Sequence, residues 1–237
     1  MESIDKIKPI FGKKAESATP TNVSIAVIRR LPRYHRHLGE LMRQNRLRIS
    51  SAELSKLMNV TASQIRQDLN CFGGFGQQGY GYNVKYLYNR ISDLLGVNEE
   101  YTVVIVGAGN LGRALAASHM FDRRGVRKVA MFDVSPELVG REVCGLPCHH
   151  VSELSEFCRA NKISIGVLTT PRDAAEEVAA ALAAGGVRGI WNFSNMELAA
   201  PSDSVTIQNM HMGDSLLMLC YDLKNLDSTE KDGKDEI

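Results

Sequence analysis

Three features predict a two-domain α/β chain: two short capped helices before residue 72, apolar strands alternating with helices after residue 100, and a reversal of charge between them. The first domain reads as a winged helix-turn-helix. The second reads as a Rossmann-type, doubly wound parallel sheet, followed by an apolar C-terminal helix that suits a subunit interface. The expected boundaries are a flexible arm at 1–22, a winged-helix domain with linker helix at 23–98 and a Rossmann domain at 99–211. A dimerisation helix follows at 212–226 and a disordered acidic tail at 227–237.

The 237 residues suffice for two cores, and 44% hydrophobic with 23% charged residues is an ordinary globular balance. No apolar run reaches the roughly 18–20 residues that span a bilayer. The opening MESIDKIKPIFGKK lacks the apolar centre of a signal peptide. Five cysteines, at 71, 144, 148, 158 and 220, fit free thiols in a reducing, cytoplasmic setting better than a disulfide framework. The net charge of +1 conceals an asymmetry: residues 1–90 hold 15 Lys and Arg against 6 Asp and Glu, and the rest of the chain holds 13 against 21. A basic domain joined to an acidic one points to a polyanionic partner for the first alone.

Within the basic part, the pattern from Pro32 to Asn45 supports a helix with Leu38, Leu41 and Met42 on one face. In SSAELSKLMNVTASQIRQDLNCFGG, Ser50 with Glu53 and Thr61 with Gln64 match the capping-box pattern, so each opens a short helix. Leu54 and Leu57 would be core residues of the first, and Ile65 and Leu69 of the second. In a helix-turn-helix the second helix enters the major groove, so Ser63, Gln64, Arg66 and Gln67 form the expected base-facing set. The glycine-rich, aromatic FGGFGQQGYGYNV that follows resembles a β-hairpin wing. Gln77, Gln78, Tyr80 and Tyr82 of the wing, with Arg30, complete the expected DNA contacts. Residues 84–98 form a linking helix ending at Gly96.

From Tyr101 the period changes. YTVVIV is a buried strand, GAGNLG a turn and RALAASHMF a helix; VRKVAMFD is a second strand ending in Asp133. This is the setting that gives G-x-G-x-x-G its meaning. Gly107 makes the turn, Gly109 lets the backbone approach a pyrophosphate, and Gly112 lets helix meet strand. Ala108, Asn110 and Leu111 complete a turn whose free N–H groups face phosphate. Asp133 would accept the adenosine ribose hydroxyls and disfavour a 2′-phosphate, which selects NAD(H). No histidine pairs with an acid in a proton-relay motif and no room remains for a substrate domain, so the reading is a non-enzymatic one. CGLPCHH at 144–150 lacks zinc-finger spacing and reads as a loop leading into a short strand, with metal binding or thiol sensing as the other reading. No metal is expected.

Taken in order, RLPRYHRHL, SSAELSKLMNVTASQIRQDL, CFGGFGQQGYGYNV, VGAGNLGRAL, FDVSPELVG, LTTPRDAA and GIWNF resemble the Rex family of NADH/NAD-responsive redox-sensing transcriptional repressors, from about Ser24 to about Leu226. The resemblance implies a homodimer with exchanged C-terminal helices that holds palindromic operator DNA and releases it when NADH binds. Carried over by position, Thr169, Thr170 and Pro171 with Asn192 and Phe193 line the nicotinamide end, and Arg36 links the two domains. Departures lie at Gln67, where the family commonly has Lys or Arg, at Ser118, where some members have Tyr, and at His211, where an aspartate would pair with Arg36; Asp214 stands three positions on. Arg36, Ser118 and His211 are therefore the expected switch positions. A member with altered or lost redox coupling, or a small NAD-dependent oxidoreductase, is the alternative.

Overall fold

The computed structural model describes residues 23–71, 76–77 and 80–232. The expected arm at 1–22, Gln78 of the wing and residues 233–237 of the tail lie outside them. The chain divides into two compact units, Met1–Val97 and Asn98–Ile237.

The first unit begins with α1 (Ile25–Arg43), followed by β1 (Arg48–Ile49), α2 (Ser51–Met58), α3 (Ala62–Asn70), β2 (Gly76–Gln77), β3 (Gly81–Asn83) and α4 (Val84–Leu94). The three strands form one small antiparallel sheet in the order β1-β3-β2, the hairpin wing of the sequence reading with a third strand added. Helix α1 starts seven residues before the expected Pro32. Ser24 caps it, and Val27 and Leu31 extend the buried stripe through Tyr34, Leu38 and Leu41. Pro32 is tolerated within α1 because it points away from that stripe and is exposed, so the helix loses one backbone bond without losing core contacts. Leu57 is a second correction: it is 48% exposed, and Met58 takes the core position beside Leu54.

The second unit contains β4 (Tyr101–Val106), α5 (Asn110–Ala117), β5 (Val126–Asp133), β6 (Glu142–Val143), β7 (Leu146–His150), α6 (Leu154–Ala160), β8 (Ile165–Leu168), α7 (Ala175–Ala184), β9 (Gly189–Asn192), β10 (Thr206–Asn209) and α8 (Met212–Asp232). Its sheet has the order β10-β9-β8-β4-β5-β7-β6, parallel throughout except for β6. Without β6, this is the doubly wound Rossmann order, with the first and fourth parallel strands, β4 and β8, adjacent at the centre. Alternation along β4 feeds two cores. Val104 and Val106 pack with Phe132, Leu168 and Leu182 on one face, and Val103 and Ile105 with Met131 and Val167 on the other.

Three segments of this unit depart from expectation. Residues 144–150 contain less loop and more strand than expected: Cys144 and Gly145 alone form the turn, and Leu146–His150 are already β7, paired with β6. Helix α5 stops at Ala117, before Ser118, because the Lys128 ammonium binds the carbonyls of Ala116 and Ser118 at 2.9 and 3.0 Å while the Ser118 hydroxyl accepts the Met120 N–H. Helix α8 continues to Asp232, six residues into the expected disordered tail. Glu and Lys favour helix there, and the first glycine comes only at 233.

The interior position of Pro32 gives a direct test. Pro32→Ala restores an amide to α1 and should stabilise the first unit by about 1–3 kcal/mol, read as a higher urea midpoint for its helical signal.

Candidate functional site

Parallel strands bring their carboxyl ends to one edge of the sheet, and the glycine turn sits there. Gly107, at φ 99°, leaves β4 with its N–H bonded to the Phe132 carbonyl at 2.8 Å. A Cβ on Gly107 would lie 2.7 Å from the Thr169 carbonyl, and one on Gly112 would collide with the Gly107 carbonyl oxygen. Both glycines are therefore required by the fold itself. Gly109 differs: a Cβ there meets no protein atom within 4 Å. It also caps α5 without any side-chain hydrogen bond, leaving the first amides of the helix, at Asn110 and Leu111, facing that space.

The neighbouring strand ends hold this turn. Thr169 Oγ1 donates within reach of two carbonyls, Val106 at 3.0 Å and Gly107 at 2.8 Å. Asp133 Oδ2 accepts the Ala108 N–H at 2.6 Å and Oδ1 accepts the Ser135 N–H at 2.9 Å. The Ala108 amide, expected among the phosphate donors, is thus bound to Asp133. The Thr170 hydroxyl, at the end of β8, is the one buried side-chain polar atom without a partner among the described residues. An open cradle at Gly109, an acid ending β5 and an orphaned hydroxyl just past the end of β8 together fit a dinucleotide laid along the strand ends.

In the first unit, α2 and α3 meet through the turn Asn59–Thr61, with Asn59 in the left-handed region at φ 51°. The Ser50–Glu53 capping box forms in full, and its hydrogen bonds from Ser50, together with Arg46, lower the Glu53 carboxyl to about 2. The second box forms only by half. Thr61 Oγ1 accepts the Gln64 N–H, but the Gln64 side chain turns to Asp68 Oδ1 at 2.8 Å. Asp68 is fully buried on the apolar side of α3 beside Ile65 and Leu69. It also receives Arg30 through two bonds, of 2.7 and 2.8 Å, and the Tyr34 hydroxyl at 2.9 Å. Burial alone would raise this carboxyl; the bonds from Arg30, Gln64 and Tyr34 more than offset it and hold it below its ordinary value of 3.8. The cluster is therefore intact above that pH and is lost as pH falls through the lower folded value.

Comparison with known proteins fits this geometry. Residues 22–70 match the family model described as "Putative DNA-binding protein N-terminus", and residues 98–196 match "CoA binding domain". A Redox-sensing transcriptional repressor Rex from Clostridium botulinum (strain Eklund 17B / Type B) is 48% identical over 202 residues, covering 85% of this chain and 96% of its own. The chain belongs to the Rex family. Among solved structures, that of RSP in complex with beta-NAD+ and operator DNA superposes with a TM-score of 0.81 at 46% identity, covering 92% of this chain and 100% of that one. RSP in complex with beta-NADH gives 0.80 at 44% identity, covering 89% and 98%. RSP is itself described as a Rex-family repressor.

Against the Rex expectation, several residues have other tasks. Tyr82, expected at DNA, is buried in the core at 6% exposure, whereas Tyr80 is exposed and stacks under Arg48 at 5.8 Å. Arg30 and Gln64 are committed to Asp68. Ser63, Arg66 and Gln67 are exposed, and Arg66 makes one bond to Ser51 Oγ at 3.2 Å; Gln77 lies in β2. Asn192 is buried and fully engaged: its amide donates to Met196 and Asn209, and its oxygen accepts from Ser194. It shapes the loop after β9 and presents no free polar atom to a ligand. Phe193 is half-buried against Trp191, with ring centroids 4.7 Å apart, and Pro171 is exposed.

Of the switch positions, Arg36 is exposed on α1, and Ser118 lies just past α5 and not in it. His211 Nε2 pairs with Glu197 Oε2 at 2.7 Å within the second unit. In the 144–150 hairpin, Cys144 is exposed and Cys148 buried, its thiol pushed up by burial. His149 packs on Phe132 and Phe157 while His150 bonds Ser152. No group of three or more metal-ligating side chains occurs among the described residues.

Asp68, Arg48 and Glu197 are the contributors that sequence reasoning passed over. Asp68 had a legible signal: it stands three positions after Ile65, on the face that Ile65 and Leu69 define as buried. The two kinds of glycine separate experimentally. Gly109→Ala should leave the melting temperature unchanged and weaken NADH binding at least about tenfold, since its methyl enters the space a phosphate needs. Gly112→Ala should unfold the second unit at lower temperature; calorimetry beside NADH fluorescence titration distinguishes them.

Proposed function

We propose that this protein is a redox-sensing transcriptional repressor that binds palindromic operator DNA as a homodimer in the cytoplasm and releases it when NADH occupies the sheet edge. The observation that carries this reading is the open cradle at Gly109, beside Asp133 and Thr170, in a chain whose other unit presents Arg66 and Gln67 on an exposed helix. The relatives' descriptions support it: RSP has been crystallised with beta-NAD+ and operator DNA, and with beta-NADH.

Bound, the cofactor supplies a nicotinamide whose charge and planarity differ between its two redox forms. Asn110 and Leu111 would offer amides to the pyrophosphate, and Asp133 would hold the ribose with the lone pairs left by Ala108 and Ser135. Thr170 and Phe193 would line the nicotinamide end. A redox form can bias the protein only by its preference for one dimer arrangement over the other, a coupling of about 1–3 kcal/mol in typical cases. Helix α8 supports the dimer. Every residue from Met212 to Leu226 is exposed within the single chain, including Leu216, Leu217, Leu219, Leu223 and Leu226. An apolar helix of this length covers that surface with a second copy.

The test is fluorescence anisotropy on a palindromic duplex selected by the full-length protein. Micromolar NADH should lower its affinity about tenfold or more, with NAD⁺ opposing the effect; affinity indifferent to NADH at low salt would overturn the sensor reading. In the same assay Arg66→Ala should cost about 1–3 kcal/mol of specific binding. Undiminished affinity would remove α3 from the major groove.

A further inference from the structure

Side chains of α1 and α3 meet at one carboxylate, and each helix contributes an i, i+4 pair: Arg30 and Tyr34 from α1, Gln64 and Asp68 from α3. The Asp68 carboxylate is the common acceptor. Arg30 Nε and one terminal nitrogen grip its two oxygens as a fork, Tyr34 Oη adds a third bond and Gln64 Nε2 a fourth. The residues next to these four on the two helices, Leu31, Ile65 and Leu69, belong to one buried apolar cluster.

Apolar packing is non-directional and leaves a short helix free to rotate by small angles about its own axis. A bidentate guanidinium–carboxylate pair does not, because both bonds must stay in one plane. The neighbours of Asp68 in sequence are the candidate base readers Arg66 and Gln67, so a rotation of α3 displaces them directly. Base-edge recognition demands placement within about 0.5 Å. The same cluster also occupies the Gln64 amide, a side chain that would otherwise be suited to an adenine edge.

We propose that Asp68 is a positioning residue for operator recognition: held by Arg30 and Tyr34, it sets the rotation of α3 and keeps Gln64 from the bases, leaving Ser63, Arg66 and Gln67 to read sequence. Buried polar contacts of this kind specify one arrangement among several that packing would allow. The proposal rests on α3 being the recognition helix, and the Arg66→Ala measurement tests that premise separately.

The experiment compares full-length wild type with Asp68→Asn, Arg30→Lys and Gln64→Leu. Each is titrated against the selected palindromic duplex, a set of that duplex with single base pairs changed, and a mixed-sequence duplex of equal length. Asp68→Asn and Arg30→Lys should lower the ratio of specific to mixed-sequence affinity by about tenfold or more, with mixed-sequence binding within about twofold of wild type. A merely destabilised domain would lose both affinities together. Gln64→Leu should leave the base preference unchanged at every position of the half-site.

If Gln64→Leu abolishes preference at one position, Gln64 reads a base and the proposal falls. It falls equally if the ratio survives in Asp68→Asn or Arg30→Lys. Should Asp68→Asn fail to fold, Arg30→Lys decides the first arm, because it keeps the cation and removes only the fork.

Discussion

The sheet edge depends on how tightly the backbone after β4 doubles back on itself. Gly112 lies against the Gly107 carbonyl so closely that no side chain fits between them, and Thr169 and Phe132 hold that carbonyl and the adjacent N–H from both flanking strands. Once the turn is closed, α5 can only start at Asn110, with its first amides pointing along the edge. The space at Gly109 follows from that closure. It is empty because the two outer glycines bring the backbone in, and it is flanked by Asp133 because β5 is the neighbour that closes the turn.

The first unit solves an analogous problem with charge. A domain whose described residues form helices and very short strands has a core of aliphatic contacts that would tolerate small rearrangements. Directional bonds to one buried carboxylate convert that core into a single geometry. Arg36 lies on the same helix as Arg30, so the helix that carries Arg36 is tied to α3 through Asp68.

Features that depend on period were legible in the sequence: β4 and β5 with the turn between them, the two helices around Asn59, and α4, which ends at Leu94, two residues before the expected Gly96. Features that depend on a distant partner were not. Nothing near Ser118 indicates that α5 ends before it, since the group responsible is Lys128, ten residues further on. The hairpin of β6 and β7 depends on strand pairing, as does the burial of Tyr82, whose partner in register is Ile49. Pro32 misled in the opposite sense. A proline is a good helix-start signal locally, and the cap at Ser24 with the stripe through Val27 outweighs it. Asn192, expected at the ligand, illustrates a limit of placement by position: a strand end is near a site, but its side chain can be absorbed by the loop that follows.

Asp133 carries a consequence for how this protein can evolve. Its carboxylate both ends β5 at the expected ribose position and satisfies the buried amide of Ala108. In a dinucleotide fold the acid at this place selects against a 2′-phosphate, and a nearby arginine accommodates one; where the acid has no other task, its exchange alters cofactor choice alone. Here the same exchange would strip a hydrogen bond from the glycine turn and leave an interior N–H unpaired. Cofactor choice and loop integrity are thus inherited together, and a lineage could alter one only by first finding another acceptor for Ala108.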